Sequence, residues 1–224
     1  MAEIEKVENL KKLDSRQLQE DDNNDYHSIR TKIFLIEIIS IFSTITSCAI
    51  NGFVWFNDGN GPALSVTTDG FLNTLTYTLV IWCYFRKKNI DSKKRDKKTQ
   101  IMMSIIFLLS STIVKFIAMK NIFYMIKLKW SVYFICIHLV QSIIFSLISI
   151  LKFILSTRFS FSSTLHASGV NALMTSLSAL SMAVSMIFLM NESCVYYFDS
   201  LMGFFIALFF NVYGANLLIR NVCN

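Results

Sequence analysis

The sequence predicts an all-α membrane protein of six transmembrane helices, and three observations carry that prediction. Hydrophobic residues make up 54% of the 224, and the mean hydropathy is +0.50. A single Pro interrupts the chain. The apolar residues also gather into six runs, at about 33–56, 62–85, 101–119, 132–155, 164–190 and 195–219. Each is long enough for a bilayer core, which takes about 20 residues of helix to cross. The six-helix domain, 33–219, leaves no space for a separate soluble domain, and only a short C-terminus, 220–224, follows it.

Residues 1–32 mix acids and bases without an apolar period, and Glu20-Asp21-Asp22-Asn23-Asn24-Asp25 is a solvated charge run. This composition predicts a disordered tail. The pattern of a signal peptide, a short apolar core followed by a small-residue cleavage site, is not found there. The first span carries Glu37 near its start and Asn51 near its end, where both could reach an interface.

Lysine and arginine set the orientation. Residues 86–100 contain eight, the tail six, and 57–61 none. Positive charge stays on the cytosolic side, so the tail, the basic loop 86–100 and the C-terminus are expected there. Lys120, Lys127 and Lys129 on the outer side are the dissenting charges. The net charge of +6 is concentrated in that loop, so anionic lipid headgroups suit it better than nucleic acid does.

The second span, GPALSVTTDGFLNTLTYTLVIWCYF, carries Asp69 well inside its apolar run. A carboxylate at membrane depth costs roughly 2.5–3.5 kcal/mol on insertion scales, which marks it as a candidate functional residue. Asn73, four residues on, shares its helical face. Lys115 in the third span and Lys152 in the fourth have stems long enough to snorkel to the headgroups, the expected behaviour for both. Pairing with an intramembrane acid is the alternative.

His138 in the fourth span and His166 at the start of the fifth are accessory candidates, with a hydrogen-bonded interfacial role expected ahead of metal ligation. The fifth span, TLHASGVNALMTSLSALSMAVSMIFLM, is rich in Ser, Ala, Gly and Thr in its first half. Small residues allow close helix approach in lipid, which accounts for that composition without a substrate. Asp199 opens the sixth span, where it faces the positive end of its own helix. Asn191-Glu192-Ser193 is a glycosylation sequon, but its connection is too short to carry a glycan clear of the membrane. The five cysteines show no close pairing and read as small hydrophobes.

Counting depth along the helices brings two spans into register. Span two descends from outside, placing Asp69 about 10 Å and Asn73 about 16 Å below the outer edge. Span five ascends from inside, placing Asn171 about 10 Å and Thr175 about 16 Å above the inner edge of a core about 30 Å thick. Asn73 and Thr175 therefore reach one midplane depth, and the two i, i+4 pairs can form a four-residue cation site. Interhelical hydrogen bonding is the alternative use of these amides and hydroxyls.

Four stretches, GPALSVTTDGFLNTLTYTLVIWCYF, IIFLLSSTIVKFIAMK, SILKFILSTRFSFSSTLHASGVNALMTSL and YYFDSLMGFFIALFFNVYGANLLI, resemble the transmembrane protein 163 family, a branch of the cation diffusion facilitator superfamily. The resemblance implies a facilitator-like bundle without a C-terminal cytosolic domain. It also implies a homodimer that exports zinc by alternating access with proton exchange. Plasma membrane, endosome, lysosome or other vesicle membranes are the implied location, with both termini cytosolic. Zn²⁺ is then the transported substrate, held by Asp69, Asn73, Asn171 and Thr175, with no organic cofactor. The family pattern has a second carboxylate where Asn73 stands and an acid where Ser168 stands. The superfamily has His and Asp at the positions of Asn171 and Thr175. These departures leave a site charge of about −1, where Zn²⁺ favours Cys, His and carboxylate. They raise two alternatives: a transport-impaired scaffold or regulator of membrane-protein partners, and a carrier of another cation. Glu37, Ser168, His138, His166 and Asp199 complete the candidate residues. An enzyme is not expected, since no nucleophile–base spacing, phosphate-binding glycine loop or metalloprotease pattern occurs.

Overall fold

A computed structural model describes residues 2–58, 61–85, 92–124, 132–158, 163–190 and 198–223, with side chains from Ser28 onward except at 57–58, 61–62, 85, 92–93 and 189–190. Among the described residues there are six helices and no strand: α1 Ala2–Asp58, α2 Gly61–Phe85, α3 Ser92–Phe123, α4 Val132–Arg158, α5 Ser163–Met190 and α6 Phe198–Val222. Five of them are long and apolar enough to cross a membrane, over Ser28–Phe56, Lys94–Phe123, Val132–Arg158, Ser163–Phe188 and Phe198–Val222. The expected sixth span, α2, matches them in length at 25 residues but not in apolarity, because Asp69, Asn73 and five threonines dilute it. Its hydroxyls are satisfied internally. Thr67, Thr68, Thr74, Thr76 and Thr78 each donate to the carbonyl four residues back, at 2.8–3.1 Å.

Two expectations about boundaries change. Residues 2–32, expected as a disordered tail, continue the first span as one 57-residue helix. The segment is rich in Glu, Lys, Gln and Leu, whose straight side chains lose little freedom in a helix, and a helix already nucleated by the span propagates at low cost. The basic loop shortens as well, because α3 begins at Ser92. The sequon and Lys127 and Lys129 lie outside the described residues.

The bundle is apolar outside and mixed inside. Phe42, Phe53, Phe71, Phe116, Ile143 and Phe205 are exposed around its perimeter, as lipid contact requires. Buried polar residues instead recur along every described helix: Glu37, Asn73, Ser104, His138, Lys152, Ser168 and Ser200. α5 is the central helix, with 67% of its span buried against 22% for α1 and α6. Its small residues Ala167, Ala172, Ala179 and Ala183 are all covered, which agrees with the close-packing account of its composition. Ser176 of α5 bonds Ser142 and Ser146 of α4 at 3.1 and 2.7 Å.

Close approach elsewhere depends on glycine. A Cβ at Gly70 would stand 2.3 Å from the Cys48 sulfur, so the close approach of α1 and α2 at this point uses the missing side chain. At Gly214 a Cβ would meet Phe107 Cβ at 3.1 Å and the Ser104 carbonyl at 3.2 Å, on the α3–α6 contact. Phe107 also stacks on Phe210, with centroids 5.3 Å apart, and both belong to the main apolar cluster with Ile33, Val80, Met103 and Leu165.

Candidate midplane cation site

The i, i+4 pair of α2 meets α5 at the expected residue. Asn73 Nδ2 donates to Thr175 Oγ1 at 2.8 Å and to Asp69 Oδ2 at 3.0 Å. Thr175 donates in turn to the Asn171 carbonyl at 3.0 Å. Because the single Thr175 proton is committed there, its oxygen must accept from Asn73, which fixes the nitrogen end of that amide toward it. The other carboxylate oxygen, Asp69 Oδ1, accepts from Ser110 Oγ of α3 at 2.9 Å. Three of the four expected residues are thus joined side chain to side chain. Asn171 joins through its backbone only, and both atoms of its buried side-chain amide lack a hydrogen-bond partner.

Sequence reasoning did not single out Ser110 or Tyr77. Asp69, Asn73 and Tyr77 stand at i, i+4 and i+8 of one helical face, a spacing that could have drawn Tyr77 in. Its wholly buried hydroxyl has no hydrogen-bond partner among the described residues.

A second polar cluster lies nearer the N-terminal end of α5. Lys152 Nζ of α4 donates to Glu37 Oε2 of α1 at 2.8 Å and to Ser168 Oγ of α5 at 2.8 Å, while Ser168 Oγ donates to Glu37 Oε1 at 2.9 Å. Both ion-pair side chains are 0% exposed, and the ammonium sits 3.8 Å from the centre of the Tyr77 ring. Lys152 therefore does not snorkel, and Glu37 does not reach the interface. Two opposite charges at membrane depth find each other because neither has water to reach. Asn51 is also buried, with its amide on the Ser47 carbonyl at 3.0 Å. Ser168 belongs to this cluster, seven residues or about 10 Å along α5 from Thr175.

The remaining accessory candidates stand apart from Asn73. His138 is buried, with neither ring nitrogen hydrogen-bonded, and its ring lies 6.2 Å from that of Phe134, so it is not the interfacial hydrogen-bonded residue expected. His166 is exposed and packs on Phe153 at 5.1 Å. Asp199 sits in the first turn of α6, as expected, and also takes a hydrogen bond of 3.5 Å from Ser181 of α5. Among the described residues no three His, Cys, Asp or Glu side chains converge. The cysteines described, Cys48, Cys83, Cys136 and Cys223, are free.

The chain is 26% identical to Transmembrane protein 163 of Xenopus laevis over 154 residues, which are 69% of this chain and 54% of that protein. It spans about half the length of this curated relative. No family model matches it. The chain is an integral membrane protein. The similarity also supports the resemblance to the transmembrane protein 163 family.

Proposed function

We propose that this chain carries a divalent cation, zinc foremost, out of the cytosol by alternating access, with Asp69 as the principal ligand. The observation that carries the reading is the Asn73–Thr175 bond of 2.8 Å, which ties the α2 and α5 polar pairs into one site at membrane depth. Beside it the unpartnered Asn171 amide offers a neutral oxygen ligand. The resemblance to transmembrane protein 163 adds a homodimer with both termini cytosolic, in the plasma membrane or endolysosomal and vesicle membranes. Proton exchange belongs to the same reading, as do an environment of membrane lipid and the absence of an enzymatic or nucleic-acid role. Zinc uptake into vesicles containing the purified chain tests it against Asp69→Ala: uptake in the wild type should fall to background in the variant. Equal uptake by both would remove Asp69 from the site.

A second reading, a scaffold or regulator with weakened transport, is favoured by one specific feature. The Asn73 amide spends its nitrogen on both Asp69 and Thr175, so it presents an oxygen to a cation only after rotating and breaking both bonds. Calorimetry separates the two readings. If the site has weakened in this way, the unmodified chain binds zinc poorly and Asn73→Asp binds it far more tightly; tight binding by the unmodified chain would exclude the second reading.

A further inference from the structure

At the end of the bundle where α3 and α5 begin and α4 and α6 finish, four helices border a cavity of about 600 Å³. Arg220, Asn216 and Tyr213 of α6, His166 and Ser163 of α5 and Gln100 of α3 stand in its wall, and among the described residues no carboxylate lines it. Helix contacts put its two basic groups at one level. Thr164 Oγ1 donates to Asp96 Oδ1, which sets the start of α5 beside Asp96 of α3. From there His166 lies two residues, about 3 Å, further in along α5, and Gln100 four residues, about 6 Å, further in along α3. Gly214 of the antiparallel α6 packs against the Ser104 carbonyl of α3. Counting outward from that contact, Gln100 is about 6 Å away and Arg220 about 9 Å. Arg220 therefore stands about 3 Å outward of Gln100, level with His166, and Tyr213 closes the deep end.

The surroundings are cationic. Lys94, Arg95, Lys97 and Lys98 occupy the first two turns of α3, Arg158 ends α4, and Arg220 is in the last turn of α6. Asp96, the acid among them, is satisfied within the protein: Thr164 holds one oxygen and Gln100 Nε2 the other, at 2.7 Å. Arg220 is exposed, and among the described residues it has no hydrogen-bond or ion-pair partner. Lys94, Arg158, Ser163 and Val222 also bound membrane spans, so the cavity opens at headgroup level.

We propose that this cavity binds a phosphate monoester carried on a polyol, the chemistry of a phosphorylated inositol headgroup. The Arg220 fork fits two phosphate oxygens of a group with a charge of about −1.5 to −2 at neutral pH, and His166 and Ser163 donate beside it. A phosphate alone would leave most of the 600 Å³ unfilled; the hydroxyls of a polyol ring match the Asn216 and Gln100 amides and the Tyr213 hydroxyl. Basic pockets between membrane helices bind headgroups of this kind. The site is separate from the cation site, since Ser163 lies twelve residues, about 18 Å, along α5 from Thr175.

Native mass spectrometry of the purified full chain, titrated with defined lipids, tests this. Phosphatidylinositol bisphosphate should be retained about tenfold more tightly than phosphatidylserine or phosphatidylcholine. Arg220→Gln should weaken that retention about tenfold. Asn216→Trp, which fills part of the cavity without altering charge, should weaken it several-fold, while Arg158→Gln, outside the cavity wall, should leave it nearly unchanged. Wild-type retention by Arg220→Gln or by Asn216→Trp would overturn the proposal, and so would an equal loss in Arg158→Gln, the mark of diffuse surface charge. Soluble inositol trisphosphate separates the two sources of the group. Displacement of the lipid at comparable concentration assigns the site to the free phosphorylated polyol as well, and failure to displace it assigns the site to lipid. A wild-type chain that retains neither ligand would overturn the proposal outright.

Discussion

Removing the Lys152 ammonium while leaving Glu37 in place should destabilise the protein more than any surface change. In Lys152→Met the volume is nearly kept, but a carboxylate with 0% exposure loses the partner that stood 2.8 Å away. Ser168 alone then remains on Glu37, at 2.9 Å. Breaking a buried pair from one side costs about 3–5 kcal/mol, because the surviving charge is left uncompensated. For a chain of 224 residues, at about 2–4 °C per kcal/mol, this corresponds to a fall in Tm of about 6–20 °C. Glu37→Gln should cost a comparable amount for the mirror-image reason. The double variant, carrying no net charge at the site, should recover most of the loss, since an uncharged replacement for a buried pair is often neutral. Tryptophan-fluorescence melting of the four proteins in detergent closes the cycle. Additivity of the two single changes to within about 0.5 kcal/mol, the behaviour of independent sites, would refute the claim that these residues form a buried pair.

Other outcomes follow from particular contacts. Gly70→Ala should destabilise by about 1–3 kcal/mol through overpacking, because its Cβ would stand 2.3 Å from the Cys48 sulfur; Cys48→Ala in the same chain should restore part of the loss in the same melting assay. Thr175→Val removes the acceptor of the 2.8 Å bond from Asn73 and should cost about 1–3 kcal/mol as the price of a buried unmet donor, with zinc uptake reduced alongside. Asn73→Asp should raise zinc affinity by at least about tenfold, or 1.4 kcal/mol, read by calorimetry. Cys223 is exposed at the end of α6; in a chain with its other cysteines replaced, a membrane-impermeant maleimide should label it from the cytosolic side only.

Much of the molecule was legible along a single axis. Hydropathy marked six spans, five of which are helices long and apolar enough to cross a membrane, and the helical rise of 1.5 Å per residue put Asn73 and Thr175 at one depth, where they bond across 102 positions of sequence. Composition also announced α5 as the packing helix, since its alanines, serines and glycine suit little else in lipid. Periodicity was a weaker guide at the ends: it did not show that residues 2–32 continue α1 as helix.

What remained hidden was lateral. Depth says at what level a side chain lies but not which neighbour it faces, and Lys152 could equally have stretched to the headgroups. Only packing α1 against α4 and α5 brought Glu37 to it, 115 positions away in sequence. The same is true of Asp199. From the sequence it was the acid in the first turn of its own helix, and only the packing of α6 beside α5 brought Ser181 to it. The sequence by itself determined the helices and the depths of their polar residues, because both follow from local periodicity and a fixed rise. The tertiary structure decided the partners, because in a bilayer core a polar group must be satisfied by whichever helix stands beside it.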